Sequence, residues 1–283
     1  VVADVFGLPV EAVKVSATRT DKVPNTSATA ASSGADLNGM AAREAAMTIR
    51  GRLADLAATI FGCAADAVEF RGGEVGGNGQ SLGFDELCRR AHLARISLAS
   101  TGFYATPDIH YDRPTHRGRP FLYFAYGAAL SEVVIDTLTG EHKVVAVDIL
   151  HDVGRSLNPA IDMGQIEGGF IQGMGWLTTE ELVFDDRGRL LTHAPSTYKI
   201  PTANDRPARM DMAIWERGHN REPTIHRSKA VGEPPLMLAI SVFSALTQAV
   251  AAAAPGKGLP KLDAPTTPER VLAAIEELRA RNG

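Results

Sequence analysis

Ser228-Lys229-Ala230-Val231-Gly232-Glu233-Pro234-Pro235-Leu236 sets a single carboxylate in an unusual backbone context. A proline disfavours the helical region for the residue before it, which predicts an extended Glu233. Pro234 and Pro235 carry no amide donors and suit the first turn of a helix. Gly232 permits a close approach on the other side. No charged residue occurs from Pro234 to Gly256, so Glu233 stands at the lip of a long apolar element. An acid at a helix start is equally explained as the ordinary partner of a helix dipole. The segment alone does not choose between these readings.

The elements around it follow from periodicity and turn chemistry. The apolar run after Glu233 is alanine-rich and interrupted by Ser241, Ser244, Thr247, Gln248 and Pro255. It therefore reads as a buried helix and not a membrane span. Thr267-Pro268 caps a last helix with Val271, Ile275 and Leu278 on one face. Upstream, the aromatic and β-branched stretch 121–134, the turn at Thr139-Gly140 and the run 143–149 predict a hairpin whose second strand closes at His151-Asp152. Asn158-Pro159 opens a glycine-studded helix reaching Leu182, and 190–193 and 210–215 read as strands. Near the start, residues 1–6 read as the end of a helix and 13–17 as a short strand. Ala42, Ala45, Ile49, Leu53, Leu56 and Ile60 recur at helical spacing and predict a long helix. Residues 71–83 are glycine-rich and read as a loop or hairpin tip, and 84–98 as a second helix. Strands and helices mix without strict βαβ alternation, which predicts an α+β fold with long buried helices.

Composition excludes several classes. The chain has 283 residues, 45% hydrophobic and 22% charged, with a net charge of −4. That is ordinary globular composition, with no electrostatic case for nucleic acid or an anionic membrane surface. Cys63 and Cys88 form no C-x-x-C, so no disulfide framework, zinc site or iron–sulfur site is predicted on this chain, which fits a reducing cytoplasm. No signal-peptide pattern is present. The eight histidines include no H-E-x-x-H, and His110 and His116 have Pro114 between them and no Cys pair before them. A metal ligated by protein side chains is therefore not predicted. No serine nucleophile is predicted. Val1 opens without an initiator Met, so the chain is expected to be the C-terminal part of a longer polypeptide.

Two further stretches carry candidate chemistry. Ala30-Ala31-Ser32-Ser33-Gly34 has side chains too small to fill a pocket, so backbone can approach a ligand, and free amides at the helix start favour an anion. An ordinary serine cap explains the same residues. Residues 164–175 hold glycines at 164, 168, 169, 173 and 175. Each costs about 1 kcal/mol in a helix against alanine, so packing or a ligand must account for them. Gln165 and Gln172 lie seven apart, on one helix face, and offer donor and acceptor together.

Lys229-Ala-Val-Gly-Glu-Pro-Pro-Leu236 resembles the segment bearing the catalytic glutamate in the xanthine dehydrogenase family of molybdenum hydroxylases. Pro24-Asn-Thr-Ser-Ala-Thr-Ala-Ala-Ser32, Gly164-Gln-Ile-Glu-Gly-Gly-Phe-Ile-Gln-Gly173 and Pro195-Ser-Thr-Tyr-Lys-Ile-Pro201 match that family in the same order, so the resemblance runs from about Val1 to the last helix. It implies that residues 1–283 are the C-terminal portion of a molybdopterin-binding domain. It implies hydroxylation of a heteroaromatic carbon with oxygen from water, Glu233 acting as general base. Ala31 corresponds to the alanine close to molybdenum, through its backbone, with Ala30, Ser32, Ser33 and Gly34 on the pterin. Ser33 and Gly34 vary in type within the family, so only their backbone roles carry over. Gln165 corresponds to the glutamine that reaches the cofactor. The metal is expected to be held by dithiolene sulfurs of the pterin. Iron–sulfur clusters and FAD are expected on other parts of the enzyme, in a larger oligomer, with a purine (hypoxanthine or xanthine) as substrate. The proline pair leans toward purines. An aldehyde oxidase-like hydroxylase and a non-catalytic cofactor-binding fragment are the alternatives.

Overall fold

The computed structural model describes residues 1–17, 19, 21 and 30–281. It divides into two compact units, Val1–Leu122 and Tyr123–Gly283.

In the first unit, α1 (Val2–Phe6) ends at Gly7 in the left-handed conformation. The long helix α2 (Gly34–Phe61) follows the predicted spacing and buries Leu53, Ala57 and Phe61. The glycine-rich stretch is more ordered than a loop. It is an antiparallel meander of β1 (Glu69–Arg71), β2 (Glu74–Gly77) and β3 (Gln80–Gly83). Gly72-Gly73 and Asn78-Gly79 all have positive φ, the requirement of two-residue hairpin turns whose twist suits the strands they join. Val75 from β2 and Leu87 and Ala91 from α3 (Phe84–Leu93) complete this core. The helix α3 stops at Leu93 and not at Leu98. Arg95 takes φ 59°, and Ile96 and Arg95 donate back to the carbonyls of Ala91 (2.9 Å) and His92 (3.0 Å), a Schellman closure. The expected strand at 13–17 does not form. Val15 is 93% exposed, so its alternating pattern has no face to bury. A small ribbon, β4 (His110–Asp112) with β5 (Arg117–Arg119), completes the unit.

The second unit is a three-stranded sheet with helices on one face. β6 (Tyr126–Ile135) and β7 (His142–Asp152) form the predicted hairpin, with a register shift between Glu132 and Val133. β8 (Arg209–Ile214) then adds parallel to β7. The helix α4 (Pro159–Thr178) starts where its cap predicts. The Asn158 side chain accepts from the amides of Ala160 (3.2 Å) and Ile161 (3.3 Å), and Pro159 needs no partner. It ends at Thr178, short of Leu182. Residues 190–193 form no strand, only a single bridge between Leu190 and Phe184. Phe184 and Leu191 remain about half exposed, so burial does not propagate the pairing.

Residues Pro234–Ala239 form a 3-10 turn that runs into α5 (Ile240–Ala252). By length and composition alone, Pro234–Ala252 is apolar enough to cross a membrane. Here Ala239, Val242 and Leu246 join Val147, Ile149, Ile166 and Phe170 in one core. The expected buried helix is buried on one side only, since Met237 and Ile240 are 56% and 51% exposed. The last helix, α6 (Pro268–Ala280), sets Val271, Ile275 and Leu278 against Val250 and Ala254.

Candidate active site

Glu233 lies exposed at the start of the 3-10 turn, at φ −105° and ψ −36°. This corrects the extended conformation expected before a proline. The pre-proline effect disfavours the helical region without closing it. Here the Glu233 carbonyl also accepts from the Leu236 amide at 3.1 Å, closing the first turn over Pro234 and Pro235.

Both flanks of Glu233 are fixed within the second unit. On the N-terminal side, Ser228 bridges Gly154, and the Lys229 amide donates to the Val153 carbonyl at 2.8 Å. The Lys229 ammonium meets the Asp152 carboxylate at 2.6 Å, with side-chain exposures of only 7% and 18%. It also lies 4.7 Å from the centre of the Tyr126 ring, a favourable cation–π distance. The Ala230 amide donates to the Tyr123 hydroxyl at 2.9 Å. On the C-terminal side the 3-10 turn lies in a groove on α4. A Cβ at Gly169 would stand 3.1 Å from Pro235 Cβ, and one at Gly173 would stand 2.4 Å from the Leu236 carbonyl oxygen. Two of the five glycines thus serve close packing against the glutamate-bearing segment.

A third, Gly175, leaves room for Glu180 and Pro201. The Tyr198 hydroxyl donates to Glu180 at 2.5 Å, which pushes the Tyr198 pKa up, and Thr179 donates to the Lys199 carbonyl at 2.7 Å. The 195–201 loop is thereby fastened to the end of α4. Gly164 and Gly168 meet nothing within 4 Å. Gln165 and Gln172 are exposed on the same helix, Gln165 one turn before the Gly169–Pro235 contact. The structure thus brings the α4 motif, the 195–201 loop and the Glu233 segment together.

The cofactor candidates Ala30, Ala31, Ser32, Ser33 and Gly34 belong to the first unit, and Pro24–Thr29 of that motif lie outside the described residues. Ala31 and Ser32 adopt φ of 57° and 53°, a strained conformation for residues with a side chain. Ser33 does not cap α2. Its hydroxyl donates to the Ala30 carbonyl at 2.8 Å. Small side chains, two strained residues and a helix start not capped by Ser33 suit a pterin or phosphate placed against backbone. Among the described residues no cluster of three or more His, Cys, Asp or Glu could hold a metal ion.

Sequence reasoning missed Asp152, Tyr126, Tyr123 and His151 as neighbours of the site. His151 is 2% exposed, and neither ring nitrogen has a hydrogen-bond partner. A Cβ at Gly127 would stand 2.6 Å from His151 Nδ1 and 3.1 Å from a Leu238 methyl. Only glycine at 127 therefore admits the ring beside the turn that follows Glu233. Burial pushes the His151 pKa below its usual value; Asp152 opposes that and Lys229 adds to it.

This fold is shared with large oxidoreductases. Quinoline 2-oxidoreductase from Pseudomonas putida 86 superposes with a TM-score of 0.81 at 27% identity, covering 98% of this chain and 34% of that one. The aldehyde oxidoreductase from Desulfovibrio gigas shares the fold at a TM-score of 0.72 and 23% identity, over 97% of this chain and 26% of that one. Residues 1–207 match the molybdopterin cofactor-binding domain model, and the chain belongs to that family. It is 44% identical over 269 residues to xanthine dehydrogenase/oxidase of Gallus gallus, across 94% of this chain and 18% of that protein. It is 43% identical over 290 residues to xanthine dehydrogenase of Oryza sativa subsp. japonica, across 98% of this chain and 20% of that protein. The chain therefore spans about a fifth of the length of these relatives. The homology to xanthine dehydrogenase agrees with the α+β fold and with the motifs in the sequence.

Proposed function

We propose that this chain is the C-terminal portion of the molybdenum-binding part of a purine hydroxylase, with Glu233 as its general base. The observation that carries the reading is the Glu233 segment, exposed at its carboxylate-bearing residue and fixed on both flanks. A base must be held within reach of its proton. The Lys229–Asp152 pair and the α4 glycines do that holding. In the first unit, Ala30, Ala31, Ser32, Ser33 and Gly34 would hold the molybdopterin through backbone, Ala31 close to the metal. In the second, Gln165 would offer its amide to the cofactor. The bound cofactor would supply the two-electron acceptor for a ring carbon hydroxylated with oxygen from water. Glu233 would accept the proton released as the water oxygen attacks that carbon.

The purine assignment follows the 43–44% identity to xanthine dehydrogenases and the Pro234-Pro235 pair. The electrons would leave through iron–sulfur clusters and FAD carried on other parts of the enzyme, in a cytoplasmic oligomer. The test is Glu233→Gln in the complete enzyme. The variant keeps shape and a hydrogen-bonding group but accepts no proton, so turnover with xanthine should fall about 10²–10⁴-fold at unchanged molybdenum content. Loss of metal in step with activity would favour a structural role. Single-turnover reduction within about twofold of wild type, far inside that catalytic range, would remove Glu233 from the mechanism.

A further inference from the structure

We propose that Lys229 and Asp152 are a positioning pair for Glu233, an inference that rests on the reading of Glu233 as general base. The pair is more than an ion pair at the end of a strand. Asp152 Oδ1 accepts the Gly154 amide at 2.8 Å, and Oδ2 takes the Lys229 ammonium at 2.6 Å. The carboxylate thereby holds its own strand end and the incoming loop together. Gly218 makes the space: a Cβ there would stand 2.5 Å from Asp152 Oδ1. Gly154, at φ 64°, allows the two segments to touch, because a Cβ there would stand 2.5 Å from the Arg227 carbonyl oxygen. The Arg155 amide donates to that same carbonyl at 3.0 Å.

Stability alone does not explain the choice of charges. Burying both groups costs solvation that their attraction only partly returns, and an apolar pair of the same size often serves a fold as well or better. What the charges add is direction. The ammonium has one carboxylate oxygen and one aromatic face to satisfy, so the Lys229 stem has a single productive course. Lys229 is four residues before Glu233, and Ala230 is fixed to Tyr123. With Pro235 seated on Gly169, only Val231, Gly232, Glu233 itself and Pro234 lie between anchored positions. Freeing the Lys229 end lets Glu233 move by about the 1 Å that can cost 10²-fold in a positioned reaction.

The test uses Lys229→Met with Asp152→Asn in the complete enzyme, alone and together. Asn keeps an acceptor for the Gly154 amide, and the double variant leaves no charge without a partner. Each single variant should melt lower than wild type, and the double should recover most of that loss. Its kcat should stay down by about 10–10²-fold with KM within about threefold, and amides 230–233 should exchange faster with solvent. A double variant with wild-type kcat, or with wild-type exchange at those amides, overturns the pair's role. In the Glu233→Gln background, removing the pair should cost nothing further, because both changes act through one carboxylate. A further loss of tenfold or more there overturns the proposal while leaving the base in place. Full activity of Glu233→Gln alone overturns the base instead. If the double variant loses molybdenum, Lys229→Arg takes its place, since a guanidinium fork does not reproduce the ammonium's contacts. Lower kcat at full metal content then supports the role, and wild-type kcat overturns it.

Discussion

Gly173 lies so close to Leu236 that a Cβ on the glycine would stand 2.4 Å from the leucine carbonyl oxygen. That oxygen is backbone within the 3-10 turn after Glu233 and cannot rotate away. Gly173→Ala should therefore destabilise by about 1–3 kcal/mol, as overpacking does. Gly168→Ala meets nothing within 4 Å and should be neutral or gain up to about 1 kcal/mol of helix propensity. Melting temperatures of the two variants decide it. Equal shifts would mean that α4 and the turn do not depend on this contact.

The pattern behind that contact was half legible. Five glycines in one helix announced a packing or ligand reason, yet spacing did not say which of them faced the turn. Local chemistry was read well where it was local, as at Asn158-Pro159, Thr267-Pro268 and the α2 spacing. It failed where a conformation was unusual for its residue. Arg95 closes α3 in a conformation that sequence reading reserves for glycine, and Glu233 takes a helical ψ that the following proline disfavours without forbidding. Long-range partners were the other blind spot. Lys229 stood inside the quoted motif, but Asp152 is 77 residues away and looked like nothing more than a strand end. Nor did the sequence reveal that β8 runs parallel to β7.

Burial of His151 should make the second unit acid-sensitive. Its folded pKa is pushed below 6.5, mainly by burial, while in the unfolded chain it titrates near about 6.5. The unfolded state therefore binds the proton first. This stabilisation is complete above that pH and is lost as pH falls below it. Burial lowers His142 in the same direction. The carboxylates with depressed pKa values, Glu86 at about 2 and Asp148 and Asp185, act at lower pH. His151→Asn should flatten the fall in melting temperature between about pH 7 and 5. An unchanged slope would assign the acid sensitivity elsewhere.

Substrate preference separates two hydroxylase classes on the same fold. The complete enzyme should favour hypoxanthine or xanthine over benzaldehyde in kcat/KM. Steady-state rates with the three compounds check this directly. A preference for benzaldehyde would reassign the enzyme to aldehyde oxidation while leaving the role of Glu233 intact.

The backbone at Ala31 offers a test of the cofactor site that does not pass through catalysis. Ala31 at φ 57° tolerates a conformation costing about 1–2 kcal/mol for a residue with a Cβ. Glycine adopts it freely, so Ala31→Gly should keep both the fold and the molybdenum. A β-branched side chain is a true outlier there. Ala31→Val should force the chain out of that conformation and away from the shape that suits a pterin. The expected result is loss of molybdenum from Ala31→Val and retention in Ala31→Gly, measured by elemental analysis on protein of matched melting temperature. A valine variant that carries full metal would remove the alanine run from the cofactor site, whatever its activity.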